Sequence, residues 1–380
     1  MSQNLAGANF TRRGALGLMA GAAVLPSFAR AQGDAGPSLA QLAGAKGLRF
    51  GTAAAVRGNP GAFQVEDEDV RAVILAECNL IVPENELKMY VTHNNNPTDY
   101  NFAPGDALLD FCDKNNLAMR GHNLFWARDE FTPAWLKNYD FGSTPKVSAE
   151  KLLRDYIATV TDHYGTRLTS WDVINETVVP ETGEVRSNVF TRVLGNDALR
   201  IAFDEARQHL PNMQLVYNDY MGWDSEGAPH RDGVLKLLQW FRDNKVEVNA
   251  LGLQSHLGTD HDLKTGDPVA WKAFLDSVAG MGYDMLITEF DVNDRYVDGN
   301  YATRDAVVAD TATRYLDLTL SYTQVKDMLC WGIDDKYNWL QGFTPRKDGA
   351  RLRPAPYDDD FRPKPLRTAI ANAFKNAPAR

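Results

Sequence analysis

The chain has 380 residues, of which 44% are hydrophobic and 24% charged, and its net charge is −10. That length exceeds a small disulfide scaffold and suits one large α/β barrel or two ordinary domains. An acidic balance repels phosphate backbones and anionic lipid surfaces, which argues against nucleic acid as a partner and says nothing about a neutral substrate.

The first segment reads as an address. "TRRGALGLMAGAAVLPSFARAQ" (11–32) carries paired Arg12 and Arg13, a short apolar run, and small residues at Ala29 and Ala31. Residues 1–31 are expected to be a twin-arginine-type signal peptide ending in an A-x-A site, and the protein to be exported to the periplasm or medium. The apolar run is shorter than the about 20 residues a bilayer needs, so no membrane anchor is expected. Losing Arg12, Arg13 and Arg30 with this leader would take the net charge to −13. Residues 32–46, "QGDAGPSLAQLAGAK", are expected to be a flexible lead-in to a single domain over 47–380.

Eight short apolar runs follow: "LRFGTAAA" (48–55), "NLIVP" (79–83), "LAMRGHNLFW" (117–126), "RLTSWDVIN" (167–175), "MQLVYND" (213–219), "ALGLQSHL" (250–257), "DMLITEFD" (284–291) and "DMLCWGID" (327–334). Each is consistent with a strand buried on both faces. Amphipathic stretches lie between them. In 149–164, Leu152, Leu153, Tyr156, Ile157 and Val160 recur at helical spacing. Another stretch begins at Asn196, a cap candidate, and stops before Pro211. Eight strands alternating with helices predict an α/β fold, a closed (β/α)₈ TIM barrel. A doubly wound open sheet is the alternative on pattern alone, but no Gly-rich phosphate loop follows the first strand. Cys78, Cys112 and Cys330 show no CxxC spacing, and buried structural thiols are expected.

In such a barrel the active site lies at the carboxyl ends of the strands. Reading those ends in order gives Glu84, Asn85 and Lys88, then His122 and Trp126, then Asn175 and Glu176, then Asn218, Asp219 and Tyr220. Gln254 and His256, Glu289 and Asp291, and Trp331, Asp335 and Trp339 complete the series. Glu176 and Glu289 each close an apolar strand, and those two strands stand nearly opposite across the mouth. Two facing carboxyl groups are what glycosidic cleavage requires: one protonated to donate to the leaving oxygen, one ionised to attack the anomeric carbon. A metal site from His256, Glu289 and Asp291 has no supporting ligand spacing, and no cofactor is expected.

"WDVINE" (171–176) and "ITEFDV" (287–292) resemble the acid/base and nucleophile motifs of glycoside hydrolase family ten, the retaining endo-1,4-β-xylanases. "VPENELK" (82–88), "RGHNLFW" (120–126), "YNDY" (217–220), "GLQSHL" (252–257), "WGIDDKYNW" (331–339) and "RPKP" (362–365) follow in family order, so the resemblance covers about residues 47–375. It implies Glu176 as acid/base and Glu289 as nucleophile, with His256 and Asp291 orienting Glu289 and Asn175 donating to the sugar 2-hydroxyl. It further implies Glu84, Asn85, Lys88, His122 and Gln254 as the glycone wall, and Trp126, Trp331 and Trp339 as an aromatic cage at the cleavage point. Tyr220 becomes the aglycone platform. Xylan and xylo-oligosaccharides are the implied substrates, and a monomer is expected.

Four positions depart from the family pattern: Ala127, where His is usual; Met221, where Asn is usual; Asn338; and Phe290. Ala127 and Met221 bear on subsite contacts. They keep open a β-glycanase or oligosaccharide hydrolase of broader specificity, while both carboxylates argue against a non-catalytic sugar-binding barrel.

Overall fold

In the computed structural model, residues 36–58, 63–259 and 261–380 are described. The expected signal peptide lies outside them. Ten strand segments occur among the described residues: β1 (Arg49–Ala54), β2 (Leu80–Pro83), β3 (Ala118–Met119), β4 (Gly121–Trp126), β5 (Ser170–Asn175), β6 (Gln214–Asp219), β7 (Ala250–Leu253), β8 (His256–Leu257), β9 (Asp284–Val292) and β10 (Val325–Cys330). The longer helices are α1 (Leu39–Gly44), α2 (Glu68–Glu77), α3 (Ala103–Lys114), α4 (Pro145–Tyr164), α5 (Asp197–His209), α6 (Ala228–Asp243), α7 (Pro268–Gly280), α8 (Tyr301–Thr319) and α9 (Pro365–Asn376).

The strands pair in parallel in the order β3-β2-β1-β10-β9-β7-β6-β5-β4. β3 and β4 are one run interrupted at Arg120, and this run closes the barrel. The Arg120 amide donates to Ile81 O (2.9 Å), and the Thr169 amide to Met119 O (2.9 Å). The Arg120 side chain, fully buried, secures the seam: its Nη1 donates to Asp172 (3.0 Å) and its Nε to Ser170 Oγ (3.2 Å). β7 and β8 are likewise halves of the expected sixth strand, broken at Gln254–Ser255. This is a (β/α)₈ barrel, with α2 to α9 following the eight strand positions in turn.

Period-two alternation assigns the faces. On β6, Leu215 and Tyr217 belong to the main core beneath the helices, whereas Val216 packs with Ala250 and Leu286 in a separate small cluster. A further cluster, Ala53, Leu80, Val82, Leu329 and Trp331 with Phe63, rises towards the strand ends. The three cysteines are free and buried.

Two expectations are corrected. The described part of the lead-in, residues 36–46, holds a packed helix: Ser38 caps α1, and Leu39 and Ala43 are fully buried. Glu77 holds this helix down by accepting from the Leu39 amide (2.7 Å), while Arg367 Nε donates to the same carboxylate (2.9 Å). Asn196 does occupy the N-cap of α5, but its αR backbone leaves its side chain without a capping bond.

Candidate active site

The carboxyl ends of the strands enclose a cleft of about 560 Å³, within the size range of small-molecule sites. Local backbone irregularities aim its carboxylates. Neighbours on a strand normally point to opposite faces, yet Asn175 and Glu176 both line the cleft. Glu176 has φ +55°, in the left-handed region, which turns the chain as β5 ends. On β9 the pairing with β10 slips between Ile287 and Phe290. Thr288 then bonds to the buried Asn218 Oδ1 (2.7 Å), while Glu289, its neighbour, faces the cleft. Such slips commonly re-aim a side chain beside a site.

Two amides join the carboxylates. Asn218 Nδ2 donates to Glu289 Oε1 (2.7 Å) and to Asn175 Oδ1 (2.9 Å). Asn175 Nδ2 and Gln254 Nε2 both face Glu176 Oε1, at 3.4 and 3.3 Å. Asn218, a strand-end residue given no role in the sequence reading, is thus the central bridge.

Behind Glu289 stands His256, with Nε2 3.4 Å from Glu289 Oε2 and Nδ1 3.0 Å from Asp291 Oδ2. Burial pushes the His256 imidazole down, but Asp291 and Glu289 outweigh it and leave it well above its ordinary range. Burial pushes Glu289 up, yet His122, His256 and Lys88 hold it well below the usual carboxylate range. A group held so low is ionised across neutral pH, as a nucleophile must be. Asp291 does not itself line the cleft. It orients both His256 and Trp339, whose Nε1 donates to Asp291 Oδ2 (2.8 Å).

Glu84, Asn85, Lys88, His122 and Gln254, the residues expected to form the glycone wall, all line this cleft. Lys88 Nζ donates to Asn85 Oδ1 (3.3 Å) and lies 4.6 Å from the Trp126 ring centre and 5.5 Å from that of Trp331. Burial lowers the Lys88 ammonium's affinity for its proton, against the pull of Glu289, Glu84, Glu176 and Glu86. His122 Nδ1 sits 2.9 Å from Asp172, so the seam also fixes this ring. Trp331, Trp339 and Tyr220 line the same cleft.

Some expectations shift. Asp335 is fully buried away from the cleft, paired with Lys364 Nζ at 2.7 Å. Ala127 and Met221 sit in the main core and not in the cleft. The residue after Ala127 enters instead: Arg128 Nη1 is 3.1 Å from Glu176 Oε2. Tyr90, Phe131, Thr259 and Phe343 also line the cleft. Tyr90 and Phe343 lie in short helices (Met89–Thr92 and Leu340–Phe343), Phe131 in a single 3₁₀ turn and Thr259 in a bend, all past the strand ends, where no long period marks direction; Phe131 stacks on Trp126 at 3.8 Å.

A barrel mouth holding two amide-bridged carboxylates among aromatic rings is the site of a glycoside hydrolase. The chain belongs to glycosyl hydrolase family 10, whose model matches residues 38–373. It is 29% identical over 364 residues to endo-1,4-beta-xylanase 2 of Aureobasidium pullulans, covering 94% of this chain and 95% of that protein. Native xylanase 10B of Thermotoga maritima superposes with a TM-score of 0.78 at 27% identity, covering 89% of this chain and 98% of that one. Xylanase 10B of Thermotoga petrophila RKU-1, solved in complex with xylobiose, superposes at 0.77 with 27% identity, covering 89% and 97%.

Proposed function

We propose that this protein is an exported, monomeric endo-1,4-β-xylanase that cleaves internal linkages of xylan and xylo-oligosaccharides with retention. The amide-bridged pair Glu176–Asn175–Asn218–Glu289 carries the reading. In the first step Glu289 bonds to the anomeric carbon while the carbon–oxygen bond breaks and Glu176 gives its proton to the departing oxygen. In the second, Glu176 takes a proton from water as the water oxygen bonds to that carbon and Glu289 leaves. Asn175 would donate to the 2-hydroxyl of the sugar in between. The xylanase names of the relatives and the xylobiose bound by one structural neighbour support the substrate class.

The two glutamates should fail differently. Glu289→Gln should lose every substrate, because no glycosyl-enzyme can form. Glu176→Ala should still be glycosylated by an aryl xylobioside whose leaving group needs no proton, with azide rescuing the second step. Equal loss on aryl and natural substrates without azide rescue would refute the roles. With the wild type, proton NMR of the first product should show the β-anomer, and reducing-sugar release should be high from xylan and low from a β-glucan. Equal release would favour a broader β-glycanase.

A further inference from the structure

We propose that Arg128 is a positioning residue for Glu176: it binds the ionised form of that carboxylate and so sets the pH above which protonation of the leaving group fails. The inference rests on the acid/base reading of Glu176. Arg128 Nη1 lies 3.1 Å from Glu176 Oε2, while its Nε and Nη2 lie 2.7 and 2.6 Å from Glu130 Oε1. Its guanidinium also lies 5.5 Å from the Phe131 ring centre. Two carboxylates and an aromatic face hold a side chain that is still 31% exposed.

Glu176 Oε1 already faces the amides of Asn175 and Gln254. A proton to be handed to a leaving group therefore sits on Oε2, where Arg128 donates. A protonated Oε2 is a much poorer acceptor for a cation, so the guanidinium distinguishes the two states and favours the ionised one. That form is the one needed as base in the second step; the first step needs the other.

The remaining groups around Glu176 do not substitute for this contact. Lys88, after β2, is turned to Asn85 and the indoles. Arg186 Nε donates to the Glu176 carbonyl (3.0 Å), and its Nη2 to the Tyr220 hydroxyl (2.7 Å). Glu289 is separated by the Asn175–Asn218 bridge. Among the described residues, Arg128 forms the one ion pair with Glu176.

The test is the pH profile of kcat/KM on xylotetraose, whose leaving group needs a proton. Arg128→Met should move the alkaline limb up by about one pH unit, the low end of the 1–3 that an adjacent opposite charge produces. Arg128→Lys should bring it part of the way back. Glu130→Gln, which leaves Arg128 with Glu176 as its carboxylate partner, should move the limb the other way. A dinitrophenyl xylobioside should show no such limb in any variant. An unmoved limb in Arg128→Met, or shifts of the same sign in Arg128→Met and Glu130→Gln, would overturn the proposal. If Arg128→Met does not fold, Glu130→Gln decides alone: a downward shift supports the coupling and any other result rejects it. A wild type that releases the α-anomer first, or lacks the limb on xylotetraose, would instead refute the acid/base reading and take this inference with it.

Discussion

His256 shows how one side chain can set the charge of another. It contacts Glu289 with one ring nitrogen and Asp291 with the other, so its positive charge is stabilised from both sides. The consequence for pH is directional. Glu289 is held below the 4.5 of an ordinary glutamate, so it stays ionised as pH falls until that lower value is reached. The acid limb of kcat/KM should therefore lie below pH 4.5. His256→Asn keeps a hydrogen-bond donor and removes the charge, so the limb should move up by about one pH unit on an aryl xylobioside. Activity would then fall more at pH 4 than at pH 7. A variant with the wild-type acid limb would mean that His122 and Lys88 alone hold Glu289 down.

At the scale of elements, Glu77 connects three helices outside the cleft. It ends α2, accepts from the first residue of α1, and pairs with Arg367 on α9; Tyr357 donates to it as well. Glu77 is 4% exposed, so its removal would leave a buried guanidinium without its anion. Breaking such a pair costs about 3–5 kcal/mol. Glu77→Ala should lose about 3 kcal/mol in urea unfolding, while kcat of the folded protein is unchanged, because α2 ends where β2 begins and not at the cleft. A drop in kcat without loss of stability would contradict this division of the barrel into a stabilising and a reacting face.

For the whole molecule, the proposed export is the step to test; buried free thiols are what a chain exported already folded would carry. A twin-arginine signal is read by a receptor as an address and not as charge alone. Arg12→Lys with Arg13→Lys should therefore leave folded, active protein in the cytoplasm, measured by fractionation and activity assay. Normal export of that variant would point to the general secretory route.

The sequence by itself determined the barrel, because eight apolar runs alternating with amphipathic stretches leave few other ways to bury both faces of a parallel sheet. It also brought the two proposed reacting groups to one place, since Glu176 and Glu289 close apolar strands and strand ends converge at one mouth. Tertiary structure decided what periodicity cannot carry. The turn at Glu176 breaks alternation so that two consecutive side chains face the cleft, and the slip on β9 lies beside Glu289. Asn218 became the bridge only once β6 was seated between β5 and β7. Ala127 and Met221, departures that looked like subsite changes, turned into the core, and Arg128 took the exposed direction beside Glu176. Nor could local pattern show α1 docked by Glu77, since its anchor at Arg367 lies 290 residues further along the chain. Sequence pattern reports which face of its own element a residue prefers; which distant groups meet there depends on register and closure, and these exist only in the folded barrel.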